Sequence, residues 1–464
     1  MKTRLNQLLK KKYDYIIVFS IVIVLACFEI FSVSYPNGWD GSFYEMQIFS
    51  WQEFGELHSE NNALIYVILK AFSLILSPGY AYKILAVFCS SFFCFLVYIY
   101  IKKNTSHIIA LLALALCLFS PFFIFNSHQF TKNILGLNFF LLYLISNKSN
   151  GKTILFLALS FWAHKVAFAI LILYIIVDLI REMNSKLLWY LIIFCLIILC
   201  LNYIPGLPHV ADLKRFSGEF SSFPVWQPVN FFKLYSFKSL NLSWWIYIIM
   251  FHLTLIVVLV KTVKTKNANT LLTIILALLI PIFNDESGGM GYRLFLNTSI
   301  LFVLLLPNII QSKFVLYTLA LLVIINIPFS FYSYKNEKFD PPMSTYKSIV
   351  SKIPKELTGN VLIVAHKGIK EQIIMNTEYD ALNWIPDNID SVNIYRVVTD
   401  ITDEDINLFS IGSEWKKLYT GYYFTKENVW SAFLSSLDKY KRKEQLTKLK
   451  TWKNPYLKRP LYLR

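Results

Sequence analysis

The chain has 464 residues, of which 56% are hydrophobic and 17% aromatic, with a mean hydropathy of +0.49 and a formal net charge of +16. An apolar share this high excludes an ordinary soluble domain and places the chain in a bilayer. The positive charge does not point to nucleic acid, because Lys and Arg cluster beside hydrophobic segments, where they act as topology signals and contacts for anionic lipid headgroups.

Apolar runs of spanning length recur from Tyr15 to Phe331, and beyond Asp340 the composition returns to a mixed, charged, globular type. The sequence therefore predicts a basic N-terminus over 1–14, a transmembrane domain over 15–331 with a large first outer loop at 35–62 and another at 205–242, and a C-terminal soluble domain over 332–464. Lys2, Arg4, Lys10, Lys11 and Lys12 precede the first apolar run, which ends without a small-residue cleavage site. That run reads as a retained span with a cytoplasmic N-terminus.

Two later segments decide the topology. A single span at Tyr80 to Ile101, preceded by an interfacial helix from Ala63 to Leu76, keeps Lys102 and Lys103 inside. The stretch Thr153 to Ile180 carries His164 and Lys165 in its middle, an expensive place for charge in hydrocarbon, so it divides into two short helices with both residues at the outer turn. The map has about eleven transmembrane or half-spanning helices. They lie near 15–34, 80–101, 107–125, 133–147, 153–163, 166–180, 187–204, 243–260, 268–284, 294–310 and 314–331. The expected fold class is an all-α polytopic membrane protein with a small C-terminal α/β domain. An odd number of crossings puts that domain outside, although the basic tail around Lys441 to Lys450 favours the other side. In it, GNVLIVAHKG reads as a buried strand running into a turn, IKEQIIMNTEY as a helix and NIYRVVTD as a second strand, with His366 and Lys367 after the first strand. All six cysteines lie in apolar segments without metal-type spacing and read as core filler.

On this map ionisable residues collect on the outer face. The first outer loop holds Asp40, Glu45, Glu53, Glu56, His58 and Glu60, and the next outer turn holds Asn126, His128 and Lys132. The hairpin holds His164 and Lys165, and later loops hold His209, Asp212, Lys214, Arg215 and Trp226, then Asp285, Glu286 and Arg293. Carboxylates and cations at a membrane boundary suit sugar transfer from a lipid-linked phosphate. A carboxylate deprotonates the acceptor hydroxyl while cations stabilise charge on the phosphate leaving group. Asp40, in NGWDG just after the first span, is the candidate base; its alternative is an ordinary solvated carboxylate. Arg293, in GGMGYR, either grips a phosphate bidentately or snorkels to headgroups. Lys165, His164, Lys132 and His128 are candidate substrate contacts, while Glu29 and His252 inside spans are as readily packed against polar partners. Asp285 and Glu286 are a carboxylate pair able to hold a divalent cation, or simply solvated.

The segment WDGSFYEMQIF after the first span, followed by an interfacial helix and a span, resembles GT-C type membrane glycosyltransferases. SPFFIFNSHQFTKNILGLNFFLLYL, LALSFWAHKVAFAILIL and ESGGMGYRLFLNTSILFVLLLP resemble the EpsG-type and Wzy-like proteins of exopolysaccharide and O-antigen assembly. Those proteins typically carry an arginine in the first stretch and an Arg-Tyr-Tyr-like run in the last, where this chain has Lys132 and Tyr292-Arg293. The resemblance covers residues 15–310. It implies an inner-membrane enzyme using polyprenyl-phosphate-linked sugar in cell-surface polysaccharide or glycolipid assembly, with Asp40 as base. Arg293, Lys165, His164, Lys132, His128, Glu45 and Tyr292 would bind substrate. It implies no cofactor beyond a possible divalent cation. The implied partners are a lipid-linked donor, a glycan or lipid acceptor, membrane lipids and other polysaccharide-assembly proteins. A polymerase of lipid-linked repeat units and a transporter or flippase of such lipids are the alternatives.

Overall fold

A computed structural model describes residues 2–32, 38–57, 63–146, 150–182, 242–262, 268–279, 290–310, 312–336, 343–382, 385, 392–399, 415–420 and 422–438. The expected helix at 187–204 and the expected outer loop at 205–242, with its His209 to Trp226 side chains, lie outside the described residues, as do His58, Glu60 and the basic tail. The chain divides into two compact units. The first comprises Met1–Val33, Asn62–Ile68 and Lys83–Glu337; the second comprises Ser34–Asn61, Leu69–Tyr82 and Lys338–Arg464.

The first unit is helical. Among the described residues it contains α1 (Lys2–Phe31), most of α4 (Pro78–Asn104), α5 (His107–Leu118), α6 (Pro121–Gln129), α7 (Thr131–Ile145), α8 (Asn150–Ala163) and α9 (Lys165–Glu182). After the undescribed segment come α10 (Leu242–Thr262), α11 (Ala268–Leu279), α12 (Met290–Leu301) and α13 (Lys313–Asn336). Helices α2 (Gly38–Phe54) and α3 (Leu64–Ser73) lie between α1 and α4. Among the described residues, three helical stretches are long and apolar enough to cross a membrane: Tyr13–Phe31, Pro78–Asn104 and Lys313–Ser330. Their outward stripes are apolar, with Ile17, Ile21, Val24 and Phe28 on α1 and Tyr317, Leu321 and Ile324 on α13 exposed at helical spacing. Such stripes suit contact with lipid tails.

The expected single helix at 107–125 is two helices, α5 and α6, bent by 56°. The cause is local. Ser120 caps α6 by accepting from the Phe123 amide, and Pro121 occupies its first turn, where a missing N–H costs nothing. The bend frees carbonyls that hydrocarbon cannot satisfy, and neighbouring helices supply donors. Asn326 and Ser330 of α13 donate to the Phe119 carbonyl at 3.1 and 2.7 Å, and Tyr247 of α10 donates to the Leu116 carbonyl at 2.9 Å. The thiols of Cys94 and Cys117, both free, approach to 3.7 Å in the same packed region.

The second unit contains α2, the end of α3, the start of α4 and the C-terminal α/β domain. That domain runs α14 (Met343–Ser351), β1 (Val361–Val364), α15 (Lys367–Asn376), β2 (Asp380–Leu382), β3 (Asn393–Thr399), β4 (Lys416–Tyr419), β5 (Tyr422–Lys426) and α16 (Glu427–Asp438). The strand order is β2-β1-β3-β5-β4. β1 is parallel to β2 and β3, and β5 is antiparallel to β3 and β4. β1 is buried along its whole length, as a central strand covered on both faces must be. Its Val361 and Ile363 join a core with Tyr346, Ile349, Ile369, Ile373, Val397 and Phe424, while the alternate residue Leu362 joins Leu382 in a second cluster. The two expected strands and the expected helix are β1, β3 and α15; β2 and the β4–β5 pair were not foreseen.

Candidate active site

Asp40 lies in the first turn of α2, where the helix dipole favours a carboxylate, and it is half-buried. The expected loop is thus largely helical. Helix α2 ends where Gly55 takes a φ of +74° and its amide donates to the Trp51 carbonyl at 2.9 Å, the left-handed termination that glycine provides without strain. Beyond the first turn, Ser42, Tyr44, Met46, Gln47, Ile48 and Ser50 are all buried, whereas Glu53 and Glu56 near the C-terminal end are exposed.

Several contacts within the second unit hold α2 in place. On the α4 side, one turn beyond Asp40, the Tyr44 ring stacks on Tyr82 with centroids 5.1 Å apart. The Glu45 carboxylate lies against Gly79 in the first turn of α4, 3.1 Å from where a β-carbon would sit. Glu45 therefore sits over the positive end of α4, which accounts for its presence without a substrate. At the far end, Gln52 Nε2 donates to the Ser73 carbonyl at 3.1 Å, and the Lys70 ammonium lies 4.9 Å above the Trp51 ring. Desolvation holds the Lys70 ammonium below the usual lysine value. On the domain side, Gln372 Nε2 of α15 donates to Ser42 Oγ at 3.4 Å, and Phe43 packs, with Val392, on Leu362 and Leu382. Helix α2 thus packs against the second face of the C-terminal sheet.

The candidate cations belong to the first unit. His128 and Asn126 are not in an outer turn, as the sequence suggested, but on α6, where both are buried. His128 Nε2 lies 3.4 Å from Glu29 Oε1 of α1, with side-chain exposures of 3% and 12%. The polar side chains around it turn inward. Asn126 Nδ2 donates to the Phe122 carbonyl at 3.2 Å, Ser127 Oγ to the Phe123 carbonyl at 2.9 Å, and Asn133 Nδ2 to Asn126 Oδ1 at 3.3 Å. Lys132, in the first turn of α7, donates to the Tyr66 hydroxyl at 3.2 Å with its ammonium 5.2 Å from the ring centroid.

His164 breaks the helix between α8 and α9, as expected, and Lys165 opens α9; both are half-buried. The field of α9 works against a cation at its N-terminus. Gly136 of α7 lies so close that a β-carbon would stand 2.5 Å from the Ala167 β-carbon and 3.2 Å from that of His164.

Tyr292 and Arg293 occupy the first turn of α12, but their side chains, like Asp285 and Glu286 altogether, lie outside the described residues. Among the described residues there is no group of three or more His, Cys, Asp or Glu able to hold a metal ion. His252 donates through Nδ1 to its own helix's Ile248 carbonyl at 2.7 Å, which accounts for it structurally. His366 is the N-cap residue of α15.

Three features went unread in the sequence. Lys83 of α4 is 4% exposed, with its ammonium 5.2 Å from the Phe31 ring centroid. Asp178 of α9 is 1% exposed and within electrostatic reach of Tyr100, whose hydroxyl accepts from Asn269 at 2.6 Å. A charged residue inside an apolar helix was the available signal for both. On α15, Lys370, Glu371 and Gln372 are all buried; successive helical positions point in different directions, so their burial reports cover on several sides, which the sequence pattern did not disclose.

No protein-family model matches the sequence, and no match to a curated protein was found. The fold does have a solved counterpart. The structure of ArnT from Cupriavidus metallidurans bound to undecaprenyl phosphate matches with a TM-score of 0.55, covering 89% of this chain and 97% of that one. The chain has a GT-C-type fold. The two sequences are 8% identical, so the likeness is one of fold. The GT-C-type fold accounts for the multi-pass helical body and the small sheet-containing region together.

Proposed function

We propose that this chain is a membrane glycosyltransferase that takes its sugar from a polyprenyl-phosphate carrier. The observation that carries the reading is the extensive fold match to a protein bound to undecaprenyl phosphate. The placement of Asp40 on a helix fixed by its neighbours supports it.

In this reading Asp40 accepts the proton of the acceptor hydroxyl as that oxygen attacks the anomeric carbon. The bond from the anomeric carbon to the phosphate oxygen breaks, the electron pair stays on the phosphate, and the configuration at carbon inverts. Lys132, Lys165 and Arg293 are the cations this reading assigns to the departing phosphate, with His164 and Tyr292 as further substrate contacts. Glu45 contributes by holding the α2 helix against α4. Asp285 and Glu286 would hold a divalent cation if one assists. The enzyme would act at the inner membrane with its first loop and C-terminal domain outside, in cell-surface polysaccharide or glycolipid assembly beside other proteins of that process.

The same displacement serves a donor carrying one sugar or a whole repeat unit. Carrier-linked products of a single addition support the monosaccharide transferase, and ladders of repeats support the polymerase. Replacing Asp40 by Asn, which keeps the shape and removes the base, is the test of the chemistry. Transfer should be lost while membrane insertion and thermal stability are kept.

A further inference from the structure

The proposed mechanism leaves the C-terminal domain without a task, yet that domain supplies the surface on which α2 rests. Ser42 stands two residues after Asp40 and is fully buried, and Gln372 of α15 is fully buried as well. Gln372 Nε2 donates to Ser42 Oγ at 3.4 Å. The same amide is held from behind, because Asn376 Nδ2 donates to Gln372 Oε1 at 3.0 Å and to the Gln372 carbonyl at 2.8 Å. The oxygen of the Gln372 amide is thus engaged and its nitrogen is turned toward α2. Phe43 packs beside this contact on Leu362 and Leu382 of the sheet. On a different side of α2, Tyr44 stacks on Tyr82. These two contacts restrain the start of α2 against rotation and slide.

We propose that Gln372 is a positioning residue for Asp40, so that the C-terminal domain forms the second half of the catalytic loop and sets the direction from which the base meets the acceptor. This inference rests on the glycosyltransferase reading. A hydrogen bond to a buried hydroxyl specifies rotation about the helix axis, which apolar packing alone defines loosely, and a displacement of about 1 Å at a reacting group can cost on the order of a hundredfold in rate. Ser42 and Gln372 should therefore act on kcat and leave the carrier-lipid KM in place.

The test uses the full-length protein in isolated membranes, with transfer followed on extracted polyprenyl-phosphate-linked sugars. Gln372→Ala and Ser42→Ala should each lower kcat about tenfold or more with little change in KM, and the double variant should be no slower than the worse single one. Leu418→Ala is the folding comparison, since Leu418 of β4 lies in the domain core that does not include Phe43. It should lower thermal stability while the folded fraction keeps its kcat. Wild-type kcat in both single variants overturns the proposal, as do additive losses or an equal kcat loss in Leu418→Ala. If Asp40→Asn abolishes transfer and Gln372→Ala does not slow it, this inference alone fails. If Asp40→Asn retains transfer, the glycosyltransferase reading fails and takes this inference with it.

Discussion

Gly136 offers a perturbation whose size follows directly from the coordinates. A β-carbon there would sit 2.5 Å from the Ala167 β-carbon, whereas two carbons in contact settle at about 3.5 to 4.0 Å. In Gly136→Ala, α7 and the start of α9 must therefore separate by roughly 1 to 1.5 Å, because neither partner is the movable end of a long side chain. Overpacking of this kind costs about 1 to 3 kcal/mol. The displaced segment carries His164 and Lys165, so if these contact the donor phosphate the same shift should cost on the order of a hundredfold in kcat/KM. Thermal unfolding of the detergent-solubilised protein and transfer in membranes measure the two effects. Gly151→Ala is the control: nothing lies within 4 Å of a β-carbon there, so stability should stay the same or rise by up to about 1 kcal/mol. A Gly136→Ala protein as stable as wild type would refute the close approach of α7 to α9. A destabilised protein with unchanged kcat/KM would remove His164 and Lys165 from the donor site.

Glu29→Leu removes the carboxylate facing His128 and should destabilise the helical unit by about 1 to 3 kcal/mol, read as a lower midpoint of thermal unfolding. Gly55→Ala places a side chain in the left-handed region at a φ of +74° and should cost about 1 to 2 kcal/mol of stability, again by thermal unfolding. The Gln372→Ala and Ser42→Ala pair should show the kcat loss at constant KM described above.

The spans were legible because length and hydropathy are local properties. α4, the divided helix at His164 and the closing α13 all stand where charge and apolar run length place them. The polarity of Asn126, Ser127 and His128 misled, because it read as a turn in water. In the fold, Asn126 and Ser127 bond back to carbonyls of their own helix and His128 faces Glu29, so the segment is buried without being apolar. Asp40 was legible as a carboxylate following the first span, but its helix was not. The glycines and acids of NGWDGSFYE look like a loop, and what supports α2 is a domain more than 300 residues away, through contacts such as Ser42 to Gln372. The β4–β5 pair was missed for a related reason: its aromatic residues gain their meaning from packing, as when Tyr395 stacks on Phe424 across the sheet at 5.2 Å.

The account turns on Asp40 as the base of a transfer from a polyprenyl-phosphate carrier. The direct measurement compares carrier-linked glycans, released by mild acid from membranes of cells producing the wild-type or the Asp40→Asn protein at matched levels. Removing a general base lowers the rate by about 10² to 10⁴, so the product mass found with the wild type should be absent or nearly so with Asp40→Asn. The same product in the same amount from both would contradict the account.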